Sequence, residues 1–130
     1  MPEEVLHDGF RINARQVDPD IVLATIAGDL DLQTVPQATA FLTHATATTP
    51  RHLILDLSEV TFLASSGISL LIAARSEGDG IHGRLHLIGV NDNLPVERPL
   101  TMVGMLDSFD VAPDLDTLLA GLRAAEPPSG

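Results

Sequence analysis

The chain reads as an α/β protein of one domain, with a mixed four- to five-stranded sheet and about four helices in the order β-β-α-β-α-β-α-β-α. Three observations carry that reading. Residues 21–27 (Ile-Val-Leu-Ala-Thr-Ile-Ala) and 51–57 (Arg-His-Leu-Ile-Leu-Asp-Leu) are short apolar runs, the first rich in β-branched residues, as buried strands require. Segments with apolar residues at three- and four-residue spacing follow the strand runs. Strands that alternate with helices pair largely in parallel, with the helices covering the sheet.

The elements follow in order. Residues 1–9 are expected to be a flexible N-terminus, and 126–130 a disordered tail, leaving 10–125 as the domain. Residues 10–17 alternate roughly and form a first edge strand. Asp18, Pro19 and Asp20 mark a turn into the strand at 21–27. From Thr34 or Val35 to about Thr46, Val35, Ala38, Phe41, Leu42 and Ala45 fall at helical spacing, and Pro36 suits the first turn. Pro50 ends that stretch, and the central strand follows. A short loop then leads to Ser65-Ser66-Gly67 and a helix bearing Ile68, Leu71 and Ile72, which fades at Gly78. Residues 84–90 form the next strand and 91–95 a loop. Residues 98–105 form a short helix with Pro99 in its first turn. A last short strand spans 108–111. A terminal helix at 114–125 carries the stripe Leu115, Leu118, Leu119 and Leu122. Helices are expected on one face of the sheet.

Composition removes several chemistries. The chain has no cysteine, which excludes disulfides, thiolate catalysis and cysteine-based zinc sites. Its cations are seven arginines with no lysine, so it has neither a P-loop nor a Schiff-base lysine. A formal charge of −11 disfavours nucleic acid and anionic membranes and suits a basic partner surface, although an acidic surface also serves solubility. No apolar run approaches the roughly 18 residues of a membrane span, and the acidic N-terminus lacks the form of a signal peptide, so a cytoplasmic protein is expected. His7, His44, His52, His82 and His86 show no metal-ligand spacing, and no metal or other cofactor is expected. A nucleophile elbow needs glycine two residues before and after its serine. Leu63 precedes Ser65, and Ala64 and Ile68 flank Ser66, so neither qualifies. Nothing in the chain argues for catalysis.

The most informative segment is 52–75. It places two hydroxyls, Ser65 and Ser66, where a helix begins, and helix starts tolerate phosphate. The same Ser-Gly arrangement also suits a simple N-cap. Gly28 suits a backbone shape that a side chain would obstruct. Asp29 suits a turn cap, and Asp31 suits either a helix-start cap or a partner contact. Gly67 suits close backbone approach, and Gly104 a helix terminator.

Three motifs together resemble the STAS domain, and within it the anti-sigma factor antagonists, with an actinobacterial flavour. They are Gly28-Asp29-Leu30-Asp31, the run from Leu55-Asp56-Leu57 to Phe62-Leu63-Ala64-Ser65-Ser66-Gly67-Ile68, and 98–105 with its Arg-Pro-Leu. The resemblance spans residues 10–123 and departs at Ala64, where the family has Asp. It implies the STAS fold and partner switching. The unmodified antagonist binds an anti-sigma factor that is also a serine kinase, and so frees a sigma factor. Phosphorylation of one serine releases the antagonist, and a metal-dependent serine phosphatase resets it. That serine corresponds to Ser65, with Ser66 the second choice. The partner surface implied is Gly28, Asp29, Asp31, Phe62, Ala64, Ser65, Ser66, Gly67 and Ile68, on a monomer or weak dimer. Two alternatives stand beside it: a non-phosphorylated STAS scaffold, and a small-ligand-binding domain within a larger signalling or lipid-transport assembly.

Overall fold

A computed structural model describes residues 4–7, 9–78 and 80–125. Five strands form one sheet in the order β1-β2-β3-β4-β5. They are β1 (Glu4–His7), β2 (Phe10–Asp18), β3 (Ile21–Leu30), β4 (His52–Leu63) and β5 (Arg84–Ile88). The first two pairings are antiparallel and the last two parallel. Parallel neighbours need a crossover, and the helices α1 (Val35–Ala45) and α2 (Ser65–Arg75) supply them. The runs read as neighbouring buried strands do pair, with Val22 opposite Leu53 and Ala24 opposite Leu55.

Alternation along the strands divides the interior. Phe10, Ile12, Val22, Ala24, Leu53, Leu55 and Leu57 face the main core, where α1 contributes Ala38, Phe41 and Leu42 and α2 contributes Ile68, Leu71 and Ala74. Ile21, Leu23, Ile54 and Ile88 face the other way, against Leu118 and Leu119 of α4 (Leu115–Ala125). The helices therefore cover both faces, which corrects the expectation of a single covered face. The inner strands are apolar on both sides, and their second face would be left wet without α4.

Four further expectations are corrected. Glu4–His7, placed in a loose N-terminus, adds an edge strand to β2; residues 1–3 and 126–130 lie outside the described residues. The loop expected after Leu57 is strand: β4 continues to Leu63, through register shifts against β3. The strand expected at 108–111 is reduced to a single bridge, Leu87 to Val111, after a short 3-10 turn at Leu106–Ser108. Helix α3 spans Leu94–Met102, so Pro95 occupies its first turn and Pro99 lies inside it. Its end is as read. Gly104 has φ +71°, its N–H reaches the Thr101 carbonyl, and the Met105 N–H reaches the Leu100 carbonyl. This is the paired closure that glycine permits.

Candidate functional site

The ends of β3 and β4 and the start of α2 meet at one edge of the sheet. Gly28 has φ +95°, and a Cβ there would lie 2.6 Å from the Gly9 carbonyl oxygen. The chain then turns through Asp29, Leu30 and Asp31. The Thr61 hydroxyl donates to Asp29 Oδ1 at 2.7 Å, tying the two strand ends together. Asp31 Oδ1 accepts the N–H groups of Gln33 at 2.9 Å and Thr34 at 3.1 Å. The Thr34 hydroxyl donates to the Asp29 carbonyl at 2.8 Å. Of the two readings of Asp31, the turn role is therefore present: one carboxylate oxygen organises the entry to α1.

Beyond Thr61, β4 exposes Phe62 (52 %) and buries Leu63. The Ala64 N–H bonds to the Leu30 carbonyl at 3.0 Å, which anchors the start of α2 to the end of β3. Ala64 is extended and occupies the N-cap position, and its methyl offers no side-chain cap. The aspartate expected from the family would stand at the position where a carboxylate caps a helix. Gly67, in the first turn, packs so closely that a Cβ would lie 2.7 Å from the Leu30 carbonyl oxygen and 2.7 Å from Leu63 Cδ1. The close approach expected at Gly67 is thus real.

The two serines differ. Ser65 is exposed, while the Ser66 hydroxyl is enclosed and has no hydrogen-bond partner. Gly67 and Ile68 are buried, so Asp29, Phe62 and Ser65 are the exposed members of the predicted set, and Gly28, Asp31 and Ala64 are half-buried.

Sequence reasoning missed an apolar groove of about 590 Å³ beside Ser65. Phe62, Ser65 and Ile68 line one side; Leu94, Arg98 and Met102 of α3 line the other. Met102 is 78 % exposed, and Leu94 and Val103 are more than half exposed. Val96 and Leu100 complete the buried stripe of α3, so its remaining apolar residues have no place in the core. The groove lies at the surface. Against Gly67 the interior is filled by Leu30 and Leu63, which disfavours a ligand cavity under that turn.

A second polar cluster lies on the α4 side. His86 is buried, with Nδ1 2.5 Å from Asp110 Oδ2 and Nε2 3.0 Å from His52 Nδ1. A carboxylate can only accept, so neutral His86 donates from Nδ1 and accepts at Nε2. Burial lowers the pKa of His86; the Asp110 hydrogen bond and charge oppose that shift, and Arg84 adds to it. Among the described residues no group of three or more His, Asp or Glu is arranged to hold a metal. No helix among them is long and apolar enough to cross a membrane.

A family model of the STAS domain matches residues 12–118. The anti-sigma-F factor antagonist RsfB of Mycobacterium tuberculosis is 29% identical over 103 residues, covering 79% of this chain and 82% of RsfB. An anti-sigma factor antagonist from Mycobacterium paratuberculosis has a similar structure, with TM-score 0.71 and 25% identity over 86% of this chain and 94% of its own. The unphosphorylated form of the anti-sigma factor antagonist SpoIIAA shares the fold, with TM-score 0.69 at 20% identity, covering 89% of this chain and 99% of SpoIIAA.

Proposed function

The chain belongs to the STAS domain family, and we propose that within it the protein is an anti-sigma factor antagonist that works by partner switching. Unmodified, it binds an anti-sigma factor in the cytoplasm and thereby frees a sigma factor. It contributes a surface and a phosphoacceptor, and the partner contributes the catalysis. In the transfer, the Ser65 oxygen bonds to the γ-phosphorus of ATP, the bond to the β-phosphate oxygen breaks, ADP leaves, and the hydroxyl proton passes to a base of the kinase. A phosphatase reverses the modification by hydrolysis.

One observation carries this reading. Ser65 is the exposed hydroxyl of the pair, on a helix start pinned to the end of β3 by the Ala64 hydrogen bond and the Gly67 contact. Ser66, whose oxygen is enclosed, has no room for a phosphoryl group without displacing its surroundings. Ala64 does not disable the acceptor, because the base and metal for transfer belong to the kinase. A phosphoryl group adds nearly two negative charges to an edge shared with Asp29 and Phe62. The likeness of RsfB and of the M. paratuberculosis protein supports the assignment.

The test is capture from the source cell with unmodified bait, followed by ATP addition and mass spectrometry of the bait. Recovery of an anti-sigma factor and label on Ser65 supports the reading. Stable capture without any label returns the scaffold alternative, and label on Ser66 moves the acceptor by one residue.

A further inference from the structure

We infer that Arg98 is the residue that holds the phosphoryl group once Ser65 carries one, and that the resulting pair lies across the apolar groove. The inference rests on Ser65 as the phosphoacceptor and goes beyond it, by naming what the modified side chain binds within its own chain.

Arg98 and Ser65 line the same groove from two different elements, α3 and the start of α2. Arg98 is exposed and makes no hydrogen bond or ion pair among the described residues. Among the described residues it is also the only charged one lining the groove, whose other members include Phe62, Ile68, Leu94 and Met102. In a chain of formal charge −11, Arg98 sets a cation in the groove lining, against the Asp29 carboxylate that accepts the hydroxyl of groove-lining Thr61. The guanidinium presents a planar fork that matches phosphate oxygens two at a time, on a long, flexible stem.

The pairing gives the modification a local mechanism. Before phosphorylation the groove offers exposed Phe62, Leu94 and Met102 to an apolar segment of a partner. Afterwards a charged, hydrated pair spans that surface. Release then requires no rearrangement of the sheet, which suits a helix start as tightly packed as that at Gly67.

The experiment uses the full chain with phosphoserine installed genetically at position 65, so no kinase is involved. Phosphorus NMR then follows the second phosphate ionisation with pH. A control carries phosphoserine at exposed Ser69, which does not line the groove. A neighbouring guanidinium favours the dianion, so Arg98→Gln should raise the pKa of phosphoserine 65 by about 0.5–1 unit. It should leave phosphoserine 69 unchanged, and Arg98→Lys should fall between. The Arg98 Nε–H resonance should shift on modification at 65 and stay still on modification at 69. An unchanged phosphoserine-65 titration in Arg98→Gln overturns the inference. Kinase labelling of the wild-type chain is scored separately: absence of label there rejects Ser65 as acceptor, whatever the titration shows.

Discussion

Two helices of this protein begin in opposite ways, and the difference separates what stabilises the molecule from what it presents. At α4, Asp114 Oδ1 accepts the Thr117 N–H at 2.7 Å, and this hydrogen bond lowers the Asp114 pKa. Around it, on the same side of the sheet, His86 meets Asp110 and Arg123 meets Asp18. At α2, the cap position holds Ala64, with no side-chain cap, the first residue is an exposed serine, and exposed Phe62 stands beside it. One side satisfies its polar groups from within. The other keeps a helix start and an apolar groove facing outward. Changes at the α2 edge should therefore alter binding, and changes under α4 should alter stability.

The largest expected effect is at Ser65. Its phosphorylation should weaken binding to the anti-sigma partner by about 30- to 1,000-fold, on the order of 2–4 kcal/mol. Ser65→Ala should bind like wild type and take no label, and Ser65→Glu should bind more weakly than wild type but less weakly than the phosphoprotein. Calorimetry decides it. Equal affinity for the modified and unmodified chains would remove the contrast between the two helix starts.

Gly67 comes next: it lies at the α2 edge but is buried, so a change there tests stability as well as position. In an ordinary helix Gly→Ala gains up to about 1 kcal/mol from propensity. Here the new methyl would meet the Leu30 carbonyl oxygen at 2.7 Å, and a backbone atom does not swing aside. The clash should win, so Gly67→Ala should lose about 1–3 kcal/mol in urea denaturation. A stabilised variant would show that α2 is free to slide, and that its pinned start is not what positions Ser65.

The split between the two regions also explains how far the sequence could be read. Apolar runs and helical spacing located β3, the first half of β4, α1, α2 and α4, because each of those segments has a buried stripe. They missed the second half of β4, where Ser58 and Glu59 are both exposed and register shifts break the alternation. They missed that α4 sits alone on the second face, since a stripe says that a surface is covered but not by which side of the sheet. The Ser65 edge was legible through its motif. The groove was not, because Leu94 fell in an expected loop and α3 was expected to start only at 98; its outward apolar side shows only once Val96 and Leu100 have taken the inside of a helix that starts at Leu94. The His52–His86 contact was equally hidden. The two residues lie 34 apart, and the parallel register of β4 and β5 brings them together as diagonal neighbours.

A smaller effect sharpens the comparison directly. Ala64→Asp gives α2 the kind of cap that α4 already has. The carboxylate can accept an N–H of the first turn, so the variant should gain about 1 kcal/mol in denaturant midpoint experiments. Asp114→Ala should lose stability by the reverse change at α4. If Ala64→Asp leaves stability unchanged, the first turn of α2 already has its donors satisfied, and the contrast with α4 is weaker than the side chains suggest.

The smallest effect is a slope with pH, and it belongs to the α4 side alone. Burial holds the folded-state pKa of His86 below its ordinary value of 6.5, so the native state resists a proton that the unfolded chain accepts. Above that value both states are neutral at this residue and it contributes no pH dependence. As pH falls through 6.5 toward the lower folded value, the unfolded state binds more protons and stability declines. The Asp110 carboxylate opposes the shift, which keeps the slope shallow. Urea denaturation at pH 7.5 and pH 5.5 should show the wild type losing stability on acidification, and His86→Gln should lose less across the same interval. Partner affinity at fixed phosphorylation state should follow neither curve, since His86 lies with Ile54 and Ile88 on the α4 side, away from the groove beside Ser65. If wild type and His86→Gln have parallel pH profiles, the buried histidine carries its proton in the folded state as readily as in the unfolded one, with Asp110 fully offsetting the cost of burial.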